Sequence, residues 1–229
     1  YAAAQNYGPA TGRTPSIGAD SGPDTTGAGQ DYSQLKQIDQ LYRAGKYRQA
    51  ADLLEKRRDS GRITPNQLTF LALCYLQLED ISAAEEALTI SERLAPEEYL
   101  LLIAKGNLQM LKKEYSSAQS TFERAHELYP GQAAPLSGVV QAEYAHALHE
   151  LQERNYEKAA DLLAHAHSLQ PGNRRVMSAR IAALKHTSRQ DELQNVYLRF
   201  IDLYPHYPDA YAGLGTLLWE QNQSEKALR

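Results

Sequence analysis

Four of the seven histidines lie close together in the sequence: His146 and His149 are three residues apart, and His165 and His167 are two apart. Imidazole acts as a general acid or base, ligates metals and changes charge near neutral pH. On a helix, residues three apart share a face, so His146 and His149 can act together. Residues two apart point away from each other, so His165 and His167 cannot. No Asp, Glu or Cys completes a set with recognised metal-ligand spacing. These histidines therefore read as hydrated or locally bonded, with a weak metal or pH-sensitive site as the alternative. The single cysteine, Cys74, falls at an inward-facing helical position where a small hydrophobe belongs. A reactive thiol needs an accessible, electropositive setting instead. The chain also lacks a Gly-rich phosphate loop, an H-E-x-x-H pair, paired-cysteine zinc spacing and a G-x-S-x-G elbow. The expectation is a protein that is not an enzyme and that uses no cofactor and no metal.

The elements carrying these side chains follow a fixed ruler. Pro96, Pro130, Pro171 and Pro205 are separated by 34, 41 and 34 residues. Tyr47, Ile81, Tyr115 and Tyr156 are separated by 34, 34 and 41, and Ala50, Ala84, Ala118, Ala159, Leu193 and Ala227 by 34, 34, 41, 34 and 34. Within one period, Leu68, Leu71, Ala72 and Tyr75 occupy i, i+3, i+4 and i+7 and so share one helical face. After Leu78-Glu79-Asp80, a second stripe runs through Ile81, Ala84, Leu88 and Ser91 until Pro96 stops it. Each period thus encodes two short amphipathic helices, with alanines where the pair must approach closely.

Composition limits the remaining classes. The 229 residues are 42% hydrophobic and 23% charged, with a formal net charge of -4. That is ordinary globular usage, and it offers no basic stripe to a nucleic acid. Apolar runs such as Tyr99 to Ala104 are far shorter than the roughly 20 residues of a membrane-spanning helix. One cysteine makes no internal disulfide and leaves the redox compartment open. Residues 1 to 30 hold six glycines and three prolines and read as a flexible segment. The chain opens on Tyr1 without a charged-then-apolar leader, which suggests a trimmed start.

These residues resemble the tetratricopeptide repeat, a 34-residue helix-turn-helix unit with the pattern W-x2-L-G-x2-Y, then A-x3-F, then P. Leu68, Leu71, Ala72, Tyr75, Ala84, Leu88 and Pro96 follow it throughout, as do Leu102, Gly106, Tyr115, Ala118, Phe122, Ala125 and Pro130. Near the end, Tyr211, Leu214, Gly215, Leu218 and Ala227 take the corresponding places. The resemblance covers residues from about Asp31 to Arg229 and implies an all-α, right-handed α-solenoid of about six units. Their limits are about 31-64, 65-98, 99-132, 133-173, 174-207 and a truncated 208-229. The fourth unit holds seven extra residues, and its stripe Leu136, Val140, Tyr144, Leu148 and Leu151 predicts one projecting helix from about Ala133 to Glu153. Arg57 and Arg62 depart from the pattern in the first unit, and Gln190 and Leu193 in the fifth, which should pack less regularly.

Such arrays place function on a concave groove lined by the first helix of each unit. The resemblance carries this role to Tyr32, Leu35, Asp39, Tyr42, Asn66, Leu73, Ile103, Asn107, Met110, Tyr144 and Leu148. Leu151, Arg175, Ser178, Ala182, Thr216 and Trp219 occupy equivalent places, and the groove turns from apolar in the first four units to polar in the last two. The lysines and asparagines of the chaperone-tail carboxylate clamp do not recur in any frame. Single leucines such as Leu73 fit burial between units equally well, and tyrosines suit a half-wet binding surface. The leading functional expectation is a scaffold or adaptor binding a peptide or amphipathic helix. The alternative is the scaffold portion of a longer chain: a targeting module of an enzyme, or the periplasmic part of a bacterial exopolysaccharide export machine, similar to the export component of cellulose synthase. On that reading a periplasmic location is favoured over a cytoplasmic one. Two further expectations are a homodimer through the truncated C-terminal hairpin and residues 1 to 30, anchored by Tyr1 and Tyr7, folding back into the groove.

Overall fold

The computed structural model describes residues 28–221, with side chains from residue 32 onward. Among the described residues there are eleven helices and no strand. In chain order they are α1 (Ala28–Arg43), α2 (Tyr47–Asp59), α3 (Pro65–Gln77), α4 (Ile81–Leu94), α5 (Tyr99–Leu111), α6 (Tyr115–Leu128), α7 (Ala133–Gln152), α8 (Tyr156–Leu169), α9 (Arg174–Leu184), α10 (Gln190–Leu203) and α11 (Pro208–Glu220). The helix α1 begins inside the segment 1–30 that composition marks as flexible. No helix of the described residues is long and apolar enough to cross a membrane. The groove-blocking role of Tyr1 and Tyr7, and the second helix expected around Ala227, lie outside the described residues.

The turns show why the hairpins recur. Gly45, Glu79, Lys113 and Arg154 all have left-handed backbones, with φ of 72°, 58°, 61° and 62°. Each sits in the short link between the two helices of a hairpin, and their spacings of 34, 34 and 41 repeat the ruler. A left-handed residue reverses the chain and frees the next helix to start, at a cost of about 1–2 kcal/mol for any residue but glycine. The fifth hairpin departs from this, as its weaker pattern suggests. Its first helix, α9, has only 11 residues, and residues 185–189 link it to α10.

Two compact bodies divide the chain, one reaching Val139 and the other starting at Val140. The division falls inside α7, the helix that holds the seven-residue insertion and runs for 20 residues. In the first body α3 is the most enclosed element, since every residue from Gln67 to Leu76 is buried. It packs against α2, α4 and α5, and its leucines and Phe70 join Ile38, Leu54 and Leu101 in one core. Burial of each such side chain stabilises by about 1.5–3 kcal/mol. The start of α3 is set by Thr64, whose hydroxyl accepts from the Gln67 backbone N–H at 3.3 Å while the Gln67 side chain accepts from the Thr64 N–H at 3.3 Å. Pro65 follows at the first helical position, where its missing N–H costs nothing. Gln67 also accepts from Nε of buried Arg57 at 3.2 Å, and Arg57 reaches the Arg62 carbonyl at 3.4 Å. The two departures of the first unit thus serve one hydrogen-bonded joint between α2 and α3.

Small residues mark close approaches. A Cβ on Gly106 or Gly138 would lie 2.5 Å or 2.6 Å from the ring of Phe122, so both glycines are needed to seat that ring between α5 and the start of α7. In the second body Leu163, Val176, Met177, Leu184 and Phe200 form the core. There a Cβ on Gly213 would collide with the Tyr197 hydroxyl. Each body also ties one inter-repeat loop in the same way. Tyr129 donates its hydroxyl to the Glu97 carbonyl at 2.8 Å, and Tyr204 to the Gly172 carbonyl at 2.6 Å, both across 32 residues.

Candidate functional site

Two of the four histidines, His146 and His165, are held by carboxylates. On α7, Glu143, His146 and Glu150 share the face turned to α8. His146 bonds Glu150 at 3.0 Å, and Glu150 also accepts from Asn155 at 2.7 Å and Lys158 at 2.8 Å. Glu143, which is 1% exposed, bonds Nδ1 of His165 on α8. His167 points away from that pair, as its spacing requires. It is held below the ordinary imidazole value by burial and by Arg180 and Arg199. The Lys158 and Asn155 hydrogen bonds pull the Glu150 carboxyl down from 4.5 to about 2. These acidic partners match no recognised metal spacing, although positions 143, 146 and 150 stand at i, i+3 and i+7. Among the described residues no group of three or more His, Cys, Asp or Glu can hold a metal ion. Cys74 is fully buried, and burial pushes its thiol up to about 12.

The residues expected to form the groove divide by exposure. In the first body Tyr42, Leu73 and Met110 are buried. The Tyr42 ring packs 4.7 Å from Phe70 and 5.1 Å from Tyr47, and burial raises its hydroxyl well above the usual value. These three side chains support the wall from behind. Leu35, Ile103 and Asn107 are half-buried and Tyr32 is exposed. Asp39 pairs with Arg43 at 2.8 Å through one oxygen, and its other oxygen, Oδ1, is buried without a hydrogen-bond partner. Oδ1 of Asn66 is in the same condition. Buried acceptors of this kind are normally satisfied.

The second body holds a concavity of about 480 Å³. From α7 come Tyr144, Leu148 and Leu151; from α9 come Arg174, Arg175, Ser178, Ala179 and Ala182; and Tyr207, just before α11, closes one end. The Arg175 guanidinium carbon lies 5.1 Å from the centre of the Tyr144 ring, within reach of a cation–π contact. Tyr144, Leu148, Leu151, Arg175, Ser178 and Ala182 all hold groove positions of the repeat. Two consecutive first helices, α7 and α9, line this concavity together. Arg174, Ala179 and Tyr207 hold no groove position and join the lining through packing. Arg174 has one legible signal: with Arg175 it follows the cap Asn173, whose side chain accepts from the Arg175 and Val176 N–H groups. The first turn of a helix favours acidic residues, and α9 has none there.

Comparison with solved structures decides the fold. A tetratricopeptide repeat protein from Parabacteroides merdae aligns at a TM-score of 0.54 and 16% identity, covering 86% of this chain and 75% of its own. The chain folds as tetratricopeptide repeats. MamA residues 41 to the end from Desulfovibrio magneticus align at a TM-score of 0.55 and 17% identity, covering 76% of this chain and 93% of that one. YrrB, described as a tetratricopeptide protein with an unusual peptide-binding site, aligns at 0.50 and 17% identity over 78% of this chain and 88% of its own. At these identities the likeness concerns the tetratricopeptide fold alone. No family model matches the chain, and no curated protein does.

Proposed function

We propose that the chain is a non-catalytic scaffold that holds a peptide segment of a protein partner against the first helices of its repeats. The observation that carries this reading is the concavity between α7 and α9, lined by groove positions of two consecutive repeats. Leu148 and Ala182 offer accessible apolar surface on a rigid helical frame, and a preformed surface binds with little ordering cost. In the first body Leu35, Ile103 and Asn107 extend the same role. The binding reading also accommodates the buried Cys74 and the carboxylate-bound histidines, none of which is presented to a substrate. YrrB, one of the similar structures, is itself described as having a peptide-binding site.

The test is selection from a random library of short peptides displayed between folded flanks, using the full chain as bait. Enriched peptides should bind the native chain and lose at least about tenfold in affinity to Leu148→Asp/Ala182→Glu, as read by fluorescence anisotropy. Enriched peptides that bind this variant as tightly as the native chain would place docking elsewhere and end the α7–α9 reading.

A further inference from the structure

Resting on that docking reading, we propose that the α7–α9 concavity takes an internal segment of a partner protein in which two acidic side chains flank an apolar one. Its lining is apolar at Leu148, Leu151, Ala179 and Ala182 and carries Arg174 and Arg175 with no acidic residue. Two other arginines of the same body are neutralised: Arg180 meets Glu192 at 2.5 Å, and Arg189 meets Asp161 at 2.6 Å. Arg174 and Arg175 have no acidic partner among the described residues. Both are exposed, and Arg175 is positioned over the ring of Tyr144.

Folding does not account for this pair. Cations in the first turn of α9 oppose the helix dipole, and only Arg175, over the Tyr144 ring, has a neighbour that offsets this. A partner carboxylate seated at this helix end reverses the sign, because arginine binds carboxylates well and an anion is favoured at a helix N-terminus. Adjacent helical residues project about 100° apart, so Arg174 and Arg175 do not converge on one group. That geometry suits two separate acidic side chains rather than a single terminal carboxylate. The space of about 480 Å³ between them, lined by leucine and alanine, accepts the apolar residue. A polyanion such as single-stranded nucleic acid matches the arginines but not this lining, nor the net charge of -4.

The same peptide selection supplies the test. Peptides enriched on the native chain should place Asp or Glu on both sides of an apolar residue. The best of them, labelled and capped at both ends, should bind at least about tenfold more weakly to Arg174→Gln/Arg175→Gln and weaken as salt rises. Urea unfolding of that variant should stay cooperative with a midpoint close to the native one, which separates lost recognition from lost folding. Enriched peptides without acidic residues that still depend on Leu148 and Ala182 would overturn the acidic specificity and leave peptide docking standing. Peptides indifferent to both variants would overturn both readings. Equal binding of a labelled single-stranded oligonucleotide would replace the peptide with a nucleic acid.

Discussion

Arg174 and Arg175 show how a single side chain can work against its own helix. Both sit at the N-terminal end of α9, where the dipole disfavours a cation by about 0.3–1 kcal/mol each. Arg174→Glu should therefore unfold at higher urea than the native chain, while weakening the binding of any acidic ligand. Lower stability would mean that Arg174 supports the fold. Glu150 illustrates the opposite case, a charge that the fold needs. Its carboxyl is held at about 2 against an ordinary 4.5 by Lys158 first and Asn155 second. A group whose folded value is depressed contributes stability that is complete above the unfolded value and disappears as pH falls through the folded one. Acid titration from pH 4.5 down to about 2 should thus erode the native chain more steeply than Glu150→Gln, as followed by circular dichroism. Parallel acid limbs would remove Glu150 as the cause. Little of this was legible in the residue string. His146 and Glu150 are four apart on one helix, a local pairing that spacing reveals. His165 and Glu143 are 22 apart, and only the packing of α8 on α7 brings them together.

At the scale of the element, the hairpin was written plainly in the chain. Alanines at fixed spacing and the prolines after α4, α6, α8 and α10 mark the hairpins and their stops, because these signals act locally. The left-handed turn residues at Glu79, Lys113 and Arg154 were not legible as such, since a glycine would have been the expected occupant. Lys113→Gly should accordingly stabilise the chain by about 0.5–1 kcal/mol in urea unfolding, through relief of the left-handed strain. Unchanged or lower stability would show that the turn is not strained. Phe122 is the complementary case: its ring occupies space left free by Gly106 and Gly138. Phe122→Ala should cost about 3–5 kcal/mol, as for other buried aromatics. Gly106→Val should also destabilise, because its first side-chain carbon already collides with the ring. A tolerated valine would mean that α5 and α6 can separate freely.

At the scale of the whole molecule, stability is distributed unevenly within each body. In the first, α3 is enclosed on every side, and its amides should exchange with solvent more slowly than those of α1 or α6. In the second, residues 185–189 lack the compact turn of the other hairpins and should exchange before the helices they join. Hydrogen exchange read by mass spectrometry checks both orders, and fast exchange in α3 would refute the first. The ruler of 34 and 41 residues by itself determined that this protein is a series of helical hairpins, that one first helix is long, and that Cys74 faces inward. Periodicity reports which stripe of a helix is apolar, and that much survives in one dimension. Tertiary structure alone decided which groove positions meet solvent. Leu73 shares the register of Leu148, and Tyr42 and Met110 that of Leu151, yet neighbouring side chains bury the first-body residues while Leu148 stays exposed and Leu151 half-buried. Tertiary structure also decided that Arg174 and Arg175 line an apolar concavity. Exposure depends on what packs beside a residue, and contacts between distant segments leave no period in the chain.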